Sequence, residues 1–266
     1  MDSQEINKFI KENVDKIYDE MVKVRRIIHE NPELGDEEIE TSKLIKKFLA
    51  ENGIEFFEII NTGVVATIYN DKENMKNKTV ATRADIDALP IFEENEVEYK
   101  SKNNGKMHAC GHDAHTTIQL GVAKILAKNK DRWNGTVRFF FQPAEETSGG
   151  SDRMIKAGAL EFEKEKDKKI DAFFALHMAP EIELGKIGIR YGKAHASSAR
   201  IHLTINGTSA HAALPHKGVD AILIGAKVME YLQSIVSRRI DPREEAVITI
   251  GAFNGGFADN VVCDKV

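Results

Sequence analysis

An α/β fold with a smaller domain following it is what this sequence predicts, on three observations. Apolar residues recur at helical spacing through the first thirty positions. Beyond Pro90, short apolar strands alternate with helix-patterned stretches, the signature of α/β layering. Near Gly192 the pattern changes character and restarts as a separate strand-helix-strand run.

Ile6, Phe9, Ile10, Val14, Ile17, Met21, Val24 and Ile28 form one apolar stripe, so the chain opens with a single amphipathic helix that Pro32 ends. A second helix is expected over 37–50, carrying Ile39, Leu44, Ile45, Phe48 and Leu49, with Asn52-Gly53 as its stop signal. Three strands rich in β-branched or aromatic residues are expected at 55–60, 64–69 and 79–83, with Asn70-Asp71 turning the chain between the last two. Then come a helix at 115–127, a strand at 136–141, a helix near 151–157 and a strand at 171–176. The charged run at 161–169 reads as a solvated connection. The smaller domain is expected to have a strand at 200–205, a long helix at 220–237 and a strand at 246–251, with Asn260-Val261-Val262 beginning another. Two strands and a helix make a poor sheet layer, so this domain reads as unfinished.

At 266 residues the chain has room for one large domain, or for one plus a smaller one. With 37 basic and 42 acidic side chains and a net charge of -5, it is a poor match for nucleic acid or an anionic membrane. The N-terminus lacks a basic region followed by an apolar run, and no stretch approaches the roughly 18 apolar residues of a spanning helix, so a cytoplasmic location is expected. Only Cys110 and Cys263 are present, far apart and in different contexts, which argues against a disulfide framework.

Polar residues gather where expected strands end, which in α/β sheets is where crevices form. The strand at 79–83 runs into Asp85-Ile86-Asp87, that at 136–141 into Gln142-Pro143-Ala144-Glu145-Glu146, and that at 171–176 into His177. A fourth cluster, His108-Ala109-Cys110-Gly111-His112-Asp113, precedes a helix. In an extended Cys110-Gly111-His112 segment, thiolate and imidazole point the same way and can share one divalent ion. Adjacent Glu145 and Glu146 repel each other beside an apolar strand unless a cation compensates; one can ligate while the other takes a proton from water. Asp85 and Asp87 suit carboxylates that orient a ligand histidine. Farther on, His211 and His216 lie in a loop ahead of the long helix, where a histidine on a mobile domain could donate to an oxyanion.

These residues resemble the M20 family of metallopeptidases, and within it the amidohydrolase branch with aminoacylases, hippurate hydrolases and auxin-conjugate hydrolases. The landmarks are 25–34 (RRIIHENPEL), 83–90 (RADIDALP), 107–115, 142–146, 175–178, 210–216 and 260–262, in order along essentially the whole chain. The resemblance implies a zinc-peptidase-like α/β domain, with a mixed central sheet and helices on both faces, and an inserted α+β ferredoxin-like lid and dimerisation domain. It implies a metal-binding catalytic domain at 1–192, with its C-terminal segment missing, and an incomplete lid and dimerisation domain at 193–266. Two divalent metals (manganese, zinc, cobalt or nickel) are implied on Cys110, His112, Glu146 and His177, with Glu145 as general base and Asp87 as supporting carboxylate. His211 matches a histidine that stabilises the tetrahedral intermediate across a dimer, Asn260 a substrate-contacting asparagine, and His29 a position given a structural role here. Family members continue further and add one more ligand histidine, so truncation is expected; Cys263 stands where relatives usually have proline.

The expected activity is hydrolysis of a small-molecule N-acyl amino acid by water, with Glu145 taking the proton and returning it to the leaving amine. Two alternatives stand beside it. One is a thiol hydrolase with Cys110 as nucleophile and His112 or His115 as base; the other is a metal-binding chain without catalysis.

Overall fold

The computed structural model describes residues 2–73, 77–147, 149–162, 168–192, 197 and 199–266. They fall into two compact units, Met1–Ile187 and Gly188–Val266.

The opening stripe forms one helix, α1 (Ser3–Glu30), whose first turn is closed by a capping box between Asp2 and Glu5. Helix α2 (Ile39–Glu51) starts two residues later than the periodicity suggests, and Gly53, at a φ of 65°, turns the chain out of it. Five strands then build a single sheet: β1 (Glu55–Ile59), β2 (Gly63–Asn70), β3 (Thr79–Asp85), β4 (Gly135–Gln142) and β5 (Ala172–Ala175), in the order β1-β2-β4-β3-β5. The pairs β1-β2 and β2-β4 are antiparallel, whereas β3 runs parallel to both β4 and β5, so the central sheet is mixed.

Period-two alternation divides the sheet into two apolar faces. Val64, Ala66, Ile68, Phe139 and Phe141 pack against Ile45, Phe48 and Leu49 of α2 and against Leu120 and Ala123 of α3 (His112–Lys128), with Met21 and Val24 of α1 alongside. On the reverse face Val65, Ala81 and Phe140 meet Met154 of α4 (Gly150–Lys156) and Ala159. Helices thus cover both faces. Each fully buried Val, Leu, Ile, Phe or Met side chain among these stabilises the fold by about 1.5–3 kcal/mol.

Parallel pairing determines where the polar clusters lie. Asp85 stands in register with Gln142, and Arg83 with Ala175, so the carboxyl ends of β3, β4 and β5 open on one edge of the sheet. The expected connection at 161–169 lies partly outside the described residues, which exclude 163–167.

The second unit holds α5 (Ala221–Arg238), capped by the Asp220 side chain accepting from the Ile222 and Leu223 N–H groups, and one short ladder of β6 (Ala210–His211) with β7 (Val261–Val262). The strands expected at 200–205 and 246–251 do not form. Alternating apolar residues specify a strand only where a ladder and a packed face receive them, and here Ile201 is 78% and Val247 86% exposed. The ferredoxin-like sheet expected of this region is therefore not formed among the described residues. No described helix is long and apolar enough to cross a membrane.

Candidate metal centre

Cys110 and His112 are brought together by a tight turn, in place of the expected extended segment. Gly111 takes a left-handed φ of 84° and forms the N-cap of α3. A β-carbon there would lie 2.8 Å from Cγ of Met178, so any other residue would also force the Met178 side chain to shift. The turn leaves Cys110 half-buried, with its Sγ 3.3 Å from Nε2 of His177, and seats His112 as the first residue of the helix.

His112 is only 1% exposed. Its Nδ1 donates to the backbone carbonyl of Asp87 at 2.8 Å and lies 3.2 Å from that residue's carboxylate, so in the neutral ring Nε2 carries the lone pair. Among the described residues Nε2 has no hydrogen-bond partner, and it faces Asp85 Oδ2 at 3.5 Å and Glu146 Oε1 at 3.8 Å.

The Glu145-Glu146 pair is presented by a bend at Ala144, which takes a φ of 51°. Two hydrogen bonds to buried carboxylates hold the bend: Ala144 N–H donates to Glu38 at 2.8 Å, and Glu146 N–H donates to Asp87 at 3.0 Å. Thr62 donates to the second Glu38 oxygen at 2.7 Å, and burial pushes the Glu38 carboxyl above its ordinary range despite these bonds. Glu145 is exposed and Glu146 half-buried. Asp87 thus serves two of the expected ligands at once, His112 through its carbonyl and Glu146 through its carboxylate.

His177 follows β5 by two residues and is exposed. Its Nδ1 donates to the Met178 carbonyl at 2.7 Å, which leaves Nε2 directed at Cys110. Beside these residues an apolar cleft of about 940 Å³ opens between α1 and α3, lined among others by Met21, Ile118 and Val122.

Among the described residues three sets of donor atoms form, the atoms of each set lying within 4.8 Å of one another: Cys110 with His112 and His177, His112 with Glu145 and Glu146, and Asp85 with His112 and His115. The first two share His112 and match a cation site in donor chemistry, since thiolate, imidazole and carboxylate suit zinc or a similar divalent ion. Electrostatics agree. Burial, and then the negative neighbours Glu146, Asp85 and Glu145, push the Cys110 thiol up to about 12. His112 is raised above its usual value because Asp87, Asp85 and Glu146 outweigh the opposing effect of burial. A crevice that favours protonated thiol and imidazole is one in which a cation is electrostatically welcome.

His211 and Asn260 belong to the second unit. The β6-β7 ladder sets His211 opposite Val261, and Ala212 N–H donates to the Asn260 carbonyl at 3.0 Å, so the two expected residues occupy adjoining segments. His211 Nδ1 accepts from Ala213 N–H at 3.1 Å. His29, given a structural role from sequence, is buried with Nδ1 2.8 Å from Asp113 and Nε2 3.0 Å from Glu93. Sequence reasoning passed over Glu38, which resembles any other acidic residue ahead of a helix. It also considered His115 only as a base, although its place three residues after His112 put both on one helix face.

An acidic, histidine-rich crevice at the carboxyl edge of parallel strands in a mixed α/β sheet is the class of site this fold defines. The model of peptidase family M20/M25/M40 matches residues 81–255, and the chain belongs to that family. It is 45% identical to the IAA-amino acid hydrolase ILR1-like 5 of Arabidopsis thaliana over 94% of its own length and 55% of the relative's. It is 42% identical to the N-acetyl-L-cysteine deacetylase of Bacillus subtilis (strain 168), over 96% of this chain and 59% of that one. The chain thus spans somewhat over half the length of these curated relatives. Among solved structures, the Bacillus subtilis YXEP protein, a dinuclear metal binding peptidase from the M20 family, superposes with a TM-score of 0.70 at 33% identity, covering 94% of this chain and 62% of that one.

Proposed function

We propose that the crevice holds two divalent cations on Cys110, His112, Glu146 and His177, and that the protein hydrolyses the amide bond of N-acyl amino acids with Glu145 as general base. The observation that carries this is the convergence of one sulfur, two imidazole nitrogens and a carboxylate from three separate segments, with a second carboxylate beside them. The relative named as an N-acetyl-L-cysteine deacetylase supports the substrate class, and the dinuclear YXEP protein supports two ions. Bound manganese, zinc, cobalt or nickel would supply Lewis acidity and bring the pKa of water down towards about 7.

The chain's own residues account for the remaining chemistry. Asp87 orients His112 and steadies the backbone of Glu146. Glu145, exposed at the mouth, takes a proton from the attacking water and returns it to the leaving amine. Residues 193–266 act as a lid and dimerisation region, in which His211 donates to the oxyanion and Asn260 contacts the substrate. A thiol mechanism is disfavoured by the Cys110 thiol, which at about 12 supplies little nucleophile near neutral pH.

Assay of the purified chain on N-acetyl amino acids, before and after dialysis against a chelator, tests this. Turnover should vanish on chelation and return with manganese or zinc. Turnover that resists chelation would favour the thiol route, and metal content without turnover would mark a binding protein without catalysis. Glu145→Gln should lower turnover by about 10²–10⁴-fold at unchanged metal content.

A further inference from the structure

His115 is the histidine of the crevice that the ligand set leaves over. It is buried, with ring centroids 5.3 Å from His112 and 4.7 Å from His177. Its Nε2 accepts the Met178 N–H at 2.8 Å, so that nitrogen is unprotonated and the ring proton sits on Nδ1. Nδ1 in turn donates to Asp85 Oδ1 at 2.6 Å, and the second Asp85 oxygen takes Arg83 at 2.7 Å. Both ring nitrogens are therefore engaged, and neither offers a lone pair to an ion.

What His115 grips is the residue that orients His177. Strand β5 ends at Ala175, so the ladder does not fix the backbone at 176–178. Instead the Met178 residue is held at both ends, its N–H by His115 and its carbonyl by the Nδ1–H of His177, which turns His177 Nε2 towards the Cys110 sulfur. Gly111 permits the approach, since a β-carbon there would come within 2.9 Å of Met178 Cβ.

We propose that His115 is a positioning residue: with its tautomer set by Asp85, it holds the Met178 backbone and thereby aims the His177 imidazole at the cation site. This rests on His177 being a ligand. Support of this kind around metal-binding histidines is worth about 10–100-fold in metal affinity.

Cobalt(II) titration of the full, metal-free chain tests it, followed by the thiolate-to-cobalt charge-transfer band that Cys110 would give. His115→Phe should weaken cobalt binding by about 10–100-fold. His115→Gln, whose amide can accept from Met178 N–H and donate to Asp85, should recover much of the loss. On a His177→Ala background, His115→Phe should add less than about twofold, because two residues acting through one contact are not additive. Unchanged affinity and spectrum in His115→Phe would overturn the proposal, as would a full additional loss on the His177→Ala background. If the phenylalanine variant fails to fold, Asp85→Asn and His115→Gln carry the test, with tighter binding by His115→Gln than by Asp85→Asn expected and the reverse order contradicting it. A wild-type chain without a thiolate band would instead sink the ligand assignment beneath the proposal.

Discussion

The two walls of the crevice carry ligands of the same chemistry on very different support. The inner wall, at the ends of β3 and β4 and the start of α3, is anchored by buried groups: His112, Asp85 and Asp87 are nearly inaccessible, and Phe139 and Phe141 lie in the core. The outer wall is the end of β5, an edge strand that among the described residues pairs only with β3; its Phe173 and Phe174 are exposed, as is Leu176 just beyond it, and His177 is held by local hydrogen bonds. The difference teaches that a ligand's contribution to the site and its contribution to the fold are separable. The inner histidine serves both, the outer one chiefly the site.

Core packing should show the contrast most strongly. Phe139→Ala, at 0% exposed, should cost about 3–5 kcal/mol in urea denaturation, whereas Phe174→Ala, at 60% exposed on the edge strand, should stay within about 0.5 kcal/mol. Equal losses would erase the distinction between the walls. The ligands should follow in metal-free protein: His112→Ala removes a buried partner of Asp87 and Asp85 and should destabilise by about 3 kcal/mol. His177→Ala should leave metal-free stability within about 0.5 kcal/mol while still losing metal. A large drop for His177→Ala would mean that the outer wall supports the fold after all.

A smaller effect comes from behind the inner wall. His29 bridges Asp113 and Glu93, an arrangement that requires both ring nitrogens to be protonated. Asp113, against the opposing effect of burial, and Glu93 raise its folded-state pKa above the ordinary value. The folded state therefore binds the extra proton more tightly. The stabilisation is fully present below the unfolded pKa of about 6.5 and fades as pH rises through the raised folded value. The stability gap between wild type and His29→Gln, from urea midpoints across pH, should shrink above about pH 6.5; a gap that widens with pH would reverse the assigned sign.

The inner wall was legible in sequence because short strands rich in β-branched or aromatic residues lead into carboxylates there, as Val137-Arg138-Phe139-Phe140-Phe141 leads into Glu145-Glu146. Parallel pairing then did the assembling, as Asp85 beside Gln142 shows. The Cys110-Gly111-His112 geometry was reached for a mistaken reason: the two side chains converge through a left-handed turn, which the glycine allowed but the spacing could not reveal. Glu38 and His115 were illegible as supports because their partners, the N–H groups of Ala144 and Met178, are backbone atoms that leave no trace in residue type. Beyond Gly192 the alternation at 200–205 and 246–251 announced strands, yet pattern alone does not supply the neighbouring strands that a ladder needs.

The central claim is that Cys110, His112, Glu146 and His177 together hold divalent cations, and metal analysis of purified protein tests it most directly. Wild-type chain stripped with chelator and reloaded with zinc or manganese should retain close to two equivalents after desalting, and Cys110→Ser and His177→Ala should each retain clearly less. Retention of no metal by the wild type, or the same content in all three proteins, would contradict it.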